Sequence, residues 1–381
     1  MAGFAVINAA VVADGEVQRD YCVIVEGGCF AEIYSGNWLS MPVVDAEGCY
    51  LVPGFIDMHI HGTMGHLCDH SAESLAALSS ALPRFGVTSF LAGITPCGDE
   101  IALLKELAGA QAPGAEMLGF FLEGHYLSLT GAIQNLQRDY TPGRVLALLD
   151  AAAPYKIVFA VSPEIDELED LLPLMTADGF PAFITHTAAS AEQTERAISL
   201  GARHATHFYD VFPYPAESEP GRRACGTVEA ILAREEATVD FILDGVHVEP
   251  IAIKMALSCK GPGGVCLISD ANVAAGLPPG VYKGLGDMDV EFSYEGAPAR
   301  RVSDGLLAGS GLTLDIALRN AVGMLGLPLP DAVKLVTENP ARVLGLDSRK
   351  GRIKAGFDAD FSLLDEDLRV RKCFVKGRQV Y

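Results

Sequence analysis

The stretch LVPGFIDMHIHG, residues 51–62, places His59 and His61 one residue apart at the end of an apolar run. Residues i and i+2 of an extended strand point to the same side, so both imidazoles are expected on one face. A pair of this kind binds a metal ion in some proteins. On its own, however, it is more often two hydrogen-bonded polar residues at a strand end. The rest of the chain has to decide between these two interpretations.

Short apolar runs recur along the middle of the chain, and segments with helical periodicity, such as AESLAALSSALPRFG and AEQTERAISLG, lie between them. There are eight such runs: VPGFIDMHI, VTSFLAGIT, EMLGFFLEG, KIVFAVSPE, PAFITHT, ARHATHF, TVDFILDG and GVCLISDA. The alternation predicts buried parallel strands joined by crossover helices, and eight strands close a (β/α)₈ TIM-type barrel. Further helices, within residues 311–325 and 329–345, are expected to complete the ring.

Both ends of the chain differ from this middle part. Each contains short β-branched and aromatic runs separated by glycines, which are strand and hairpin signals. The sequence therefore predicts an α/β protein in which a small β-sandwich domain flanks a catalytic barrel. We assign residues 1–52 and 346–381 to the β domain and residues 53–345 to the barrel.

Composition narrows the possible functions. The net charge of −21 argues against a general affinity for nucleic acid or for an anionic membrane surface, although a locally positive pocket can still bind an anion. The nine cysteines include no CxxC pair, which is typical of reduced thiols in a cytoplasmic protein. We expect no signal peptide, because the N-terminus lacks a basic segment, and no membrane span.

The candidate catalytic residues stand at the ends of the predicted strands. This is where they are expected, since the active sites of such barrels lie at the C-terminal ends of the strands. Seven of the eight strands end at, or lead into, side chains able to bind metals or transfer protons: His59 and His61, Glu123, Glu164, His186, His207, His247 and Asp270. The HxH pair thus belongs to a predicted metal site. A mixture of imidazole and carboxylate ligands suits Zn²⁺ or Fe²⁺ better than Mg²⁺ or Ca²⁺.

Some of these residues permit more than one interpretation. A bound ion lowers the pKa of water, and we interpret Asp270 as the base that accepts the proton. The alternative for Asp270 is a structural or metal-binding role. Glu164 fits a secondary metal ligand and a structural residue equally well. Local hydrogen bonding is expected for three other histidines: His66, His70 and His204.

Eight segments in order, among them PGFIDMHIHG, FLEGHYL, THTAAS, ATHFYDVFPY, LDGVHVEP and LISDANVAAGLPPG, resemble the amidohydrolase superfamily and, within it, the N-acetylglucosamine-6-phosphate deacetylases. The resemblance implies hydrolysis of an acetamide in a homodimeric enzyme. It also implies a role for each matching residue: Glu123, His186 and His207 as ligands of the main metal site, His59 and His61 as the pair for a second ion, Asp270 as the catalytic base and His247 as a substrate contact.

The sequence departs from that family where the substrate is expected. Ser218 stands where the family has a phosphate-binding arginine, a contact that serine cannot replace. Arg222 and Arg223 follow, either as substitutes from a shifted position or as a solvated basic pair. Three further changes are Ile133 in place of histidine, Asp210-Val211 in place of Asn-Ala, and His125 in place of proline. We therefore expect the metal ligands and the base to be retained and the substrate specificity to differ from that of the family. The candidate substrate contacts are His247, Ile133, Asp210, Val211, Arg222 and Arg223.

The predicted function is metal-dependent deacetylation of an N-acetyl amino sugar 6-phosphate, with one or two Zn or Fe ions per subunit. An amidohydrolase acting on a non-phosphorylated N-acyl or cyclic amide is the alternative in chemistry, favoured by Ser218, Asp210 and Ile133. A non-catalytic binding protein that retains the fold is the alternative from another class. The expected partner is a small N-acylated substrate, with no nucleic acid and no membrane.

Overall fold

The computed structural model describes residues 3–36, 41–96, 98–133, 136–214 and 219–381. Its centre is a barrel of eight parallel strands: Phe55–Ile60, Val87–Ile94, Glu116–Tyr126, Lys156–Val161, Phe183–Ile184, His204–Ala205, Thr238–Ile242 and Val265–Ile268. Neighbouring strands pair in chain order, and a bridge between Ile60 and Ala271 links the last strand to the first. The predicted barrel is confirmed, with a strand in each of the eight apolar runs.

Helices connect the barrel strands and surround them. The α-helices of the described residues are Ala72–Ala81, Glu100–Ala108, Pro142–Ala152, Leu168–Met175, Ala191–Ser199, Thr227–Ala233, Pro250–Lys260, Leu314–Asn320, Leu329–Lys334 and Glu338–Val343. The helix predicted within residues 329–345 is divided in two, because Pro340 lacks the N–H that a continuous helix needs. The carbonyl of Val336, which that N–H would have reached, instead accepts a hydrogen bond from Ile56 N at 2.8 Å.

The two ends of the chain form one eight-stranded sheet, here called the terminal sheet. Its strands are Phe4–Ala13, Glu16–Glu26, Cys29–Ser35, Val43–Asp45, Tyr50–Pro53, Phe361–Leu364, Val370–Val375 and Arg378–Gln379. The first strand is irregular around Asn8, whose φ is 56°, and one edge of it pairs with Val43–Asp45 and then with Tyr50–Pro53. The terminal sheet has its own hydrophobic core, which includes Phe30 and Phe361. The boundaries at residues 52 and 346 stay a prediction.

A four-stranded antiparallel sheet, here called the cap sheet, follows the last barrel strand. It consists of Gly280–Lys283, Asp289–Phe292, Pro298–Arg301 and Leu307–Ser310. No strand is predicted from the sequence in this region. Each strand is only four residues long, too short for a clear period of apolar residues.

Lys350 joins the barrel to the terminal sheet through a buried ion cluster. It is 2% exposed, and its Nζ lies 2.6 Å from Glu116 Oε2, 3.1 Å from Asp358 Oδ2 and 2.5 Å from Asp360 Oδ2. Glu116 begins the third barrel strand, whereas Asp358 and Asp360 lie just before a strand of the terminal sheet. Burial acts to lower the pKa of Lys350, but the carboxylates of Asp360 and Glu116 raise it, so the side chain is held as a cation.

No helix among the described residues combines the length and the apolar character needed to cross a membrane. The eight cysteines that the structure describes are free thiols, and four of them are buried: Cys22, Cys68, Cys266 and Cys373. These thiols agree with the prediction of reduced cysteines.

We predict that Lys350→Met lowers the free energy of unfolding by about 3–5 kcal/mol, because it leaves buried carboxylates without their cation. Urea denaturation followed by circular dichroism measures this. Lys283→Met is the matched control: Lys283 pairs with Asp289 at the surface, where both side chains are more than half exposed, and we expect a change of at most about 1 kcal/mol. Equal effects of the two substitutions would contradict a structural role for the cluster.

Candidate active site

Six side chains converge at the rim formed by the C-terminal ends of the barrel strands. They are all at most 7% exposed and are here called the rim cluster: His59, His61, Glu123, His186, His207 and Asp270. The two histidines of the opening motif come from the first strand, and Glu123 comes from the third. The other three side chains lie two residues beyond the ends of the fifth, sixth and eighth strands. The strand ends therefore meet as the sequence predicts.

Glu123 is the centre of the rim cluster. Its Oε1 lies 3.0 Å from His207 Nε2 and 3.4 Å from His186 Nε2. Its Oε2 lies 3.1 Å from His61 Nε2 and 3.6 Å from His59 Nε2. One buried carboxylate thus faces four imidazole nitrogens.

Asp270 completes the rim cluster on the side of the first strand. Its Oδ1 lies 3.3 Å from His59 Nε2 and 3.5 Å from His61 Nε2. Its backbone is held from both sides, because its N–H donates to His59 O and its carbonyl accepts from Ser310 N. The carboxylate is therefore placed beside the imidazole pair by the closure of the barrel.

Three residues of the rim cluster adopt a backbone conformation that side chains rarely take. The φ angles of His186, His207 and Asp270 are 49°, 33° and 43°, in the left-handed region. Such conformations persist only where surrounding contacts hold them, and they concentrate at functional sites. Here each one turns the chain sharply where a strand ends, so that the side chain enters the cluster.

Two hydrogen bonds determine which imidazole nitrogen faces the cluster. His186 Nδ1 lies 3.1 Å from Leu129 O, and a carbonyl can only accept, so this nitrogen carries the proton. His59 Nδ1 lies 2.9 Å from Thr206 Oγ1. A metal-binding histidine usually donates its second N–H in this way, which leaves the lone pair of Nε2 for the ion.

The charges of the rim cluster favour a cation. Burial acts to raise the pKa of Glu123, but His59, His186 and His207 hold it well below the usual range of a carboxyl group. Burial acts to lower the pKa of the histidines, yet Glu123 raises that of His61 to about 9 and that of His207 to about 10. The donor atoms therefore attract positive charge strongly, and the cluster is compatible with a divalent ion.

Within the described residues, two triads of the rim cluster have donor atoms within 4.8 Å of one another: His59 with Glu123 and His207, and His59 with His61 and Asp270. A third such triad, Glu116 with Asp358 and Asp360, already surrounds the ammonium group of Lys350. Its carboxylates have a cation, so this third group needs no metal.

Residues 50–380 match the model of the amidohydrolase family. The chain belongs to the amidohydrolase family.

The chain is also similar to individual members of that family. It is 33% identical over 386 residues to the N-acetylglucosamine-6-phosphate deacetylase of Bacillus subtilis (strain 168), covering 97% of this chain and 95% of that one. Its identity to the N-acetylgalactosamine-6-phosphate deacetylase of Escherichia coli O157:H7 is 30%, covering 89% and 90%. A mutant N-acetyl-D-glucosamine-6-phosphate deacetylase from Mycobacterium smegmatis, in complex with N-acetyl-D-glucosamine-6-phosphate, superposes with a TM-score of 0.86 at 30% identity, covering 100% and 99%. Within the amidohydrolase family, the chain thus belongs with the N-acetylglucosamine-6-phosphate deacetylases.

A cavity of about 230 Å³ opens over the rim cluster. Besides five members of that cluster, its walls are mainly apolar, and one side comes from the cap sheet and its connections: Leu285, Met288, Leu306, Leu307 and Ala308. The cavity wall at Gly131 passes very close to His186. A Cβ added at Gly131 would lie only 2.6 Å from Cε1 of His186, so only glycine fits there.

The structure places three of the six predicted substrate contacts in this cavity: Ile133, Asp210 and Val211. Arg222 and Arg223 are exposed and are not among the described residues that line it. Arg223 instead bonds Glu229 at 2.9 Å and the Tyr214 hydroxyl at 3.2 Å. His247 is also absent from the described lining, and its buried side chain pairs with Asp244 at 2.7 Å. Ser218 lies outside the described residues.

Two further histidines near the rim cluster form local contacts. The His204 side chain lies 2.8 Å from Asp240 Oδ2 and 2.7 Å from Thr238 Oγ1, in agreement with the local hydrogen bonding expected for it. His125, where the family usually has proline, is buried 3.1 Å from Glu100 Oε2. Both histidines therefore lie in the supporting structure and outside the rim cluster.

Glu164 stabilises the segment around His186 through hydrogen bonds. Its Oε1 accepts hydrogen bonds from the Ser128 hydroxyl and, at 2.9 Å, from Ala188 N, and its Oε2 accepts one from the Thr187 hydroxyl. The His186 carbonyl in turn accepts from Ser162 Oγ at 2.9 Å. Of the two roles left open by the sequence, the geometry favours the structural one, because both carboxylate oxygens already have donors.

Two polar residues near the rim cluster were missed by the sequence analysis: Thr206 and Asp240. Asp240 is the one charged residue inside the apolar strand TVDFI, and Thr206 directly precedes His207. A buried carboxylate in a strand needs hydrogen-bond donors. An aspartate within an apolar run therefore predicts that such donors lie nearby.

We predict that Glu164→Gln destabilises the protein by about 1–3 kcal/mol, because the amide group would turn its NH₂ toward one of the hydroxyl or N–H donors. The metal stoichiometry at saturating ion concentration should not change. Urea denaturation and metal analysis measure the two quantities, with Glu167→Gln, at an exposed position nearby, as the neutral control. Loss of one bound ion in Glu164→Gln would instead identify Glu164 as a ligand.

Proposed function

We propose that this protein hydrolyses the acetamide of an N-acetyl amino sugar 6-phosphate, such as N-acetylglucosamine 6-phosphate, to acetate and the amino sugar phosphate. It would then be a hydrolase of carbon–nitrogen bonds other than peptide bonds. The observation that carries the proposal is the buried Glu123 carboxylate facing four imidazoles at the floor of the cavity. The names of the relatives, which match nearly the full chain, supply the substrate class.

Glu123, His186 and His207 would hold the main ion, and His59 and His61 would hold a second one. A nitrogen and carboxylate donor set favours Zn or Fe. When bound, such an ion polarises the amide carbonyl and makes water more acidic. The protein itself contributes the fixed Nε2 orientation of His59 and His186, and apolar walls that limit the access of bulk water to the reacting amide.

Asp270 is the proposed general base. Its Oδ1 lies 3.3 Å from His59 Nε2 and 3.5 Å from His61 Nε2, and its side chain lines the cavity, where a water molecule can reach it. It would accept one proton from the water as oxygen attacks the acetamide carbon, and then deliver that proton to the nitrogen as the C–N bond breaks. The remaining proton of the water passes from the acid product to the amine, so the products are acetate and the protonated amine, and Asp270 returns to its carboxylate form.

A cytoplasmic, homodimeric enzyme remains a prediction from composition and resemblance. The role of Arg222 and Arg223 as phosphate ligands also remains one.

We expect Asp270→Asn to lower kcat for amine release from N-acetylglucosamine 6-phosphate by about 10²- to 10⁴-fold, because the amide cannot accept the proton. The main ion should still bind, since Glu123, His186 and His207 are intact. A coupled assay of free amine, together with metal analysis of the same samples, checks both statements. Wild-type rates in Asp270→Asn would exclude Asp270 as the base.

A second candidate function is hydrolysis of a non-phosphorylated N-acyl amide. The observation that favours it is the charge of the cavity: among the described lining residues there is no lysine or arginine, whereas Asp210 adds a carboxylate. A carboxylate repels a phosphate group by about 1–4 kcal/mol at a separation of 4 Å, depending on how much water lies between them.

We predict that Asp210→Asn raises kcat/KM for N-acetylglucosamine 6-phosphate relative to N-acetylglucosamine by about tenfold, because the charge that repels the phosphate is removed. Asp166→Asn, at an exposed position, is the control and should leave the ratio unchanged. If the wild type already prefers the phosphate ester strongly and Asp210→Asn changes nothing, the second candidate function is wrong.

A further inference from the structure

We propose that Asp240 and Thr206 are positioning residues that hold the metal ligands His59 and His207 in the orientation needed for binding an ion. The proposal rests on the metal centre of the proposed function, and it concerns residues outside the rim cluster. Neither side chain lines the cavity among the described residues.

The completely buried carboxylate of Asp240 accepts three hydrogen bonds. It lies in the seventh barrel strand and is 0% exposed. Its Oδ1 accepts from His207 N at 2.6 Å and from the Thr206 hydroxyl at 3.1 Å, and its Oδ2 accepts from His204 Nε2 at 2.8 Å. Hydrogen bonds to a buried carboxylate are strong, so these donors are firmly placed.

The bond to His207 N acts on the backbone of a metal ligand. His207 takes a φ of 33°, and its peptide N–H points to the neighbouring strand, where Asp240 accepts it. The backbone N–H of Phe208 also donates to Asp240 O at 2.9 Å. Asp240 thus holds the sharp turn that directs the His207 imidazole toward Glu123.

The bond to Thr206 determines the proton position on His59. The Thr206 hydroxyl has one proton, which it donates to Asp240, so its oxygen is left to accept from His59 Nδ1 at 2.9 Å. His59 therefore carries its proton on Nδ1. Its Nε2, which lies 3.6 Å from Glu123 Oε2 and 3.3 Å from Asp270 Oδ1, keeps a lone pair.

A single carboxylate on the seventh strand thereby supports ligands from the first and the sixth strands. Replacing Thr206 by valine keeps the shape of the side chain but removes the acceptor for His59 Nδ1–H. The imidazole then either buries an unpaired N–H or moves its proton to Nε2, where it blocks the ion. Both consequences weaken metal binding, and the loss of such a supporting contact typically costs 10- to 100-fold in affinity.

The test uses Co²⁺ as the probe, on the full-length protein freed of metal by chelation. Affinity is measured by competition with a chelator, and the ligand environment is measured by the visible absorption of the bound ion. We expect Thr206→Val to bind Co²⁺ about 10- to 100-fold more weakly with an altered spectrum, and Thr206→Ser, which keeps the hydroxyl, to resemble the wild type. Thr88→Val is the matched control, because Thr88 is a buried barrel residue whose hydroxyl contacts Phe55 O.

Each contrary result has a separate meaning. Wild-type affinity and spectrum in Thr206→Val would overturn the positioning role while leaving the metal centre intact. Equal weakening in Thr206→Val and Thr88→Val would overturn it as well, since it would indicate a general loss of stability. If the wild type itself bound no Co²⁺, the metal centre of the proposed function would be wrong and the positioning role with it.

Discussion

The negative charge of Glu123, buried at the end of the third barrel strand, is the constraint on which the arrangement of the site depends. A carboxylate at this depth is costly unless charge and hydrogen bonds compensate it. Four imidazoles from three other strands supply that compensation, and each approaches through its Nε2. The barrel makes this possible, because it brings residues distant in sequence to one rim.

Three carboxylates outside the rim cluster keep its geometry in place. Glu164 accepts hydrogen bonds from the two residues that directly follow His186. Asp240 accepts them from His207 itself and from the residue before it. Asp57 does the same between the first and eighth strands, where it accepts from Ser269 Oγ at 2.6 Å and from Ser269 N at 3.2 Å, close to the catalytic candidate Asp270. The left-handed turns at His186, His207 and Asp270 are therefore stabilised by hydrogen bonds from neighbouring strands.

The sequence predicted the barrel and the rim cluster well, because both follow from local patterns. An apolar run followed directly by His59, Glu123 or Asp270 needs only the rule that strand ends meet at one rim. The supporting contacts could not be predicted in the same way. Lys350 meets Glu116 across more than two hundred residues, and no local period marks such a pair.

The lining of the cavity was predicted only in part, because some of it comes from segments without a clear local sequence pattern. Ile133, Asp210 and Val211 were predicted as substrate contacts from the resemblance to the deacetylase family, and they line the cavity. The wall formed by Leu285, Met288 and Leu306 comes from the cap sheet, whose short strands carry little periodicity. The positions of Arg222 and Arg223 depend on how a connecting segment folds, which residue types alone do not determine.

The most direct test for a metal centre at the rim cluster is a crystal structure of the protein grown with Zn²⁺, with diffraction data collected on both sides of the zinc absorption edge. A metal centre at the rim cluster would give an anomalous peak about 2.0–2.2 Å from the Nε2 atoms of His186 and His207 and an oxygen of Glu123. A fully formed rim cluster without any anomalous peak, at a Zn²⁺ concentration that saturates the protein in solution, would contradict it.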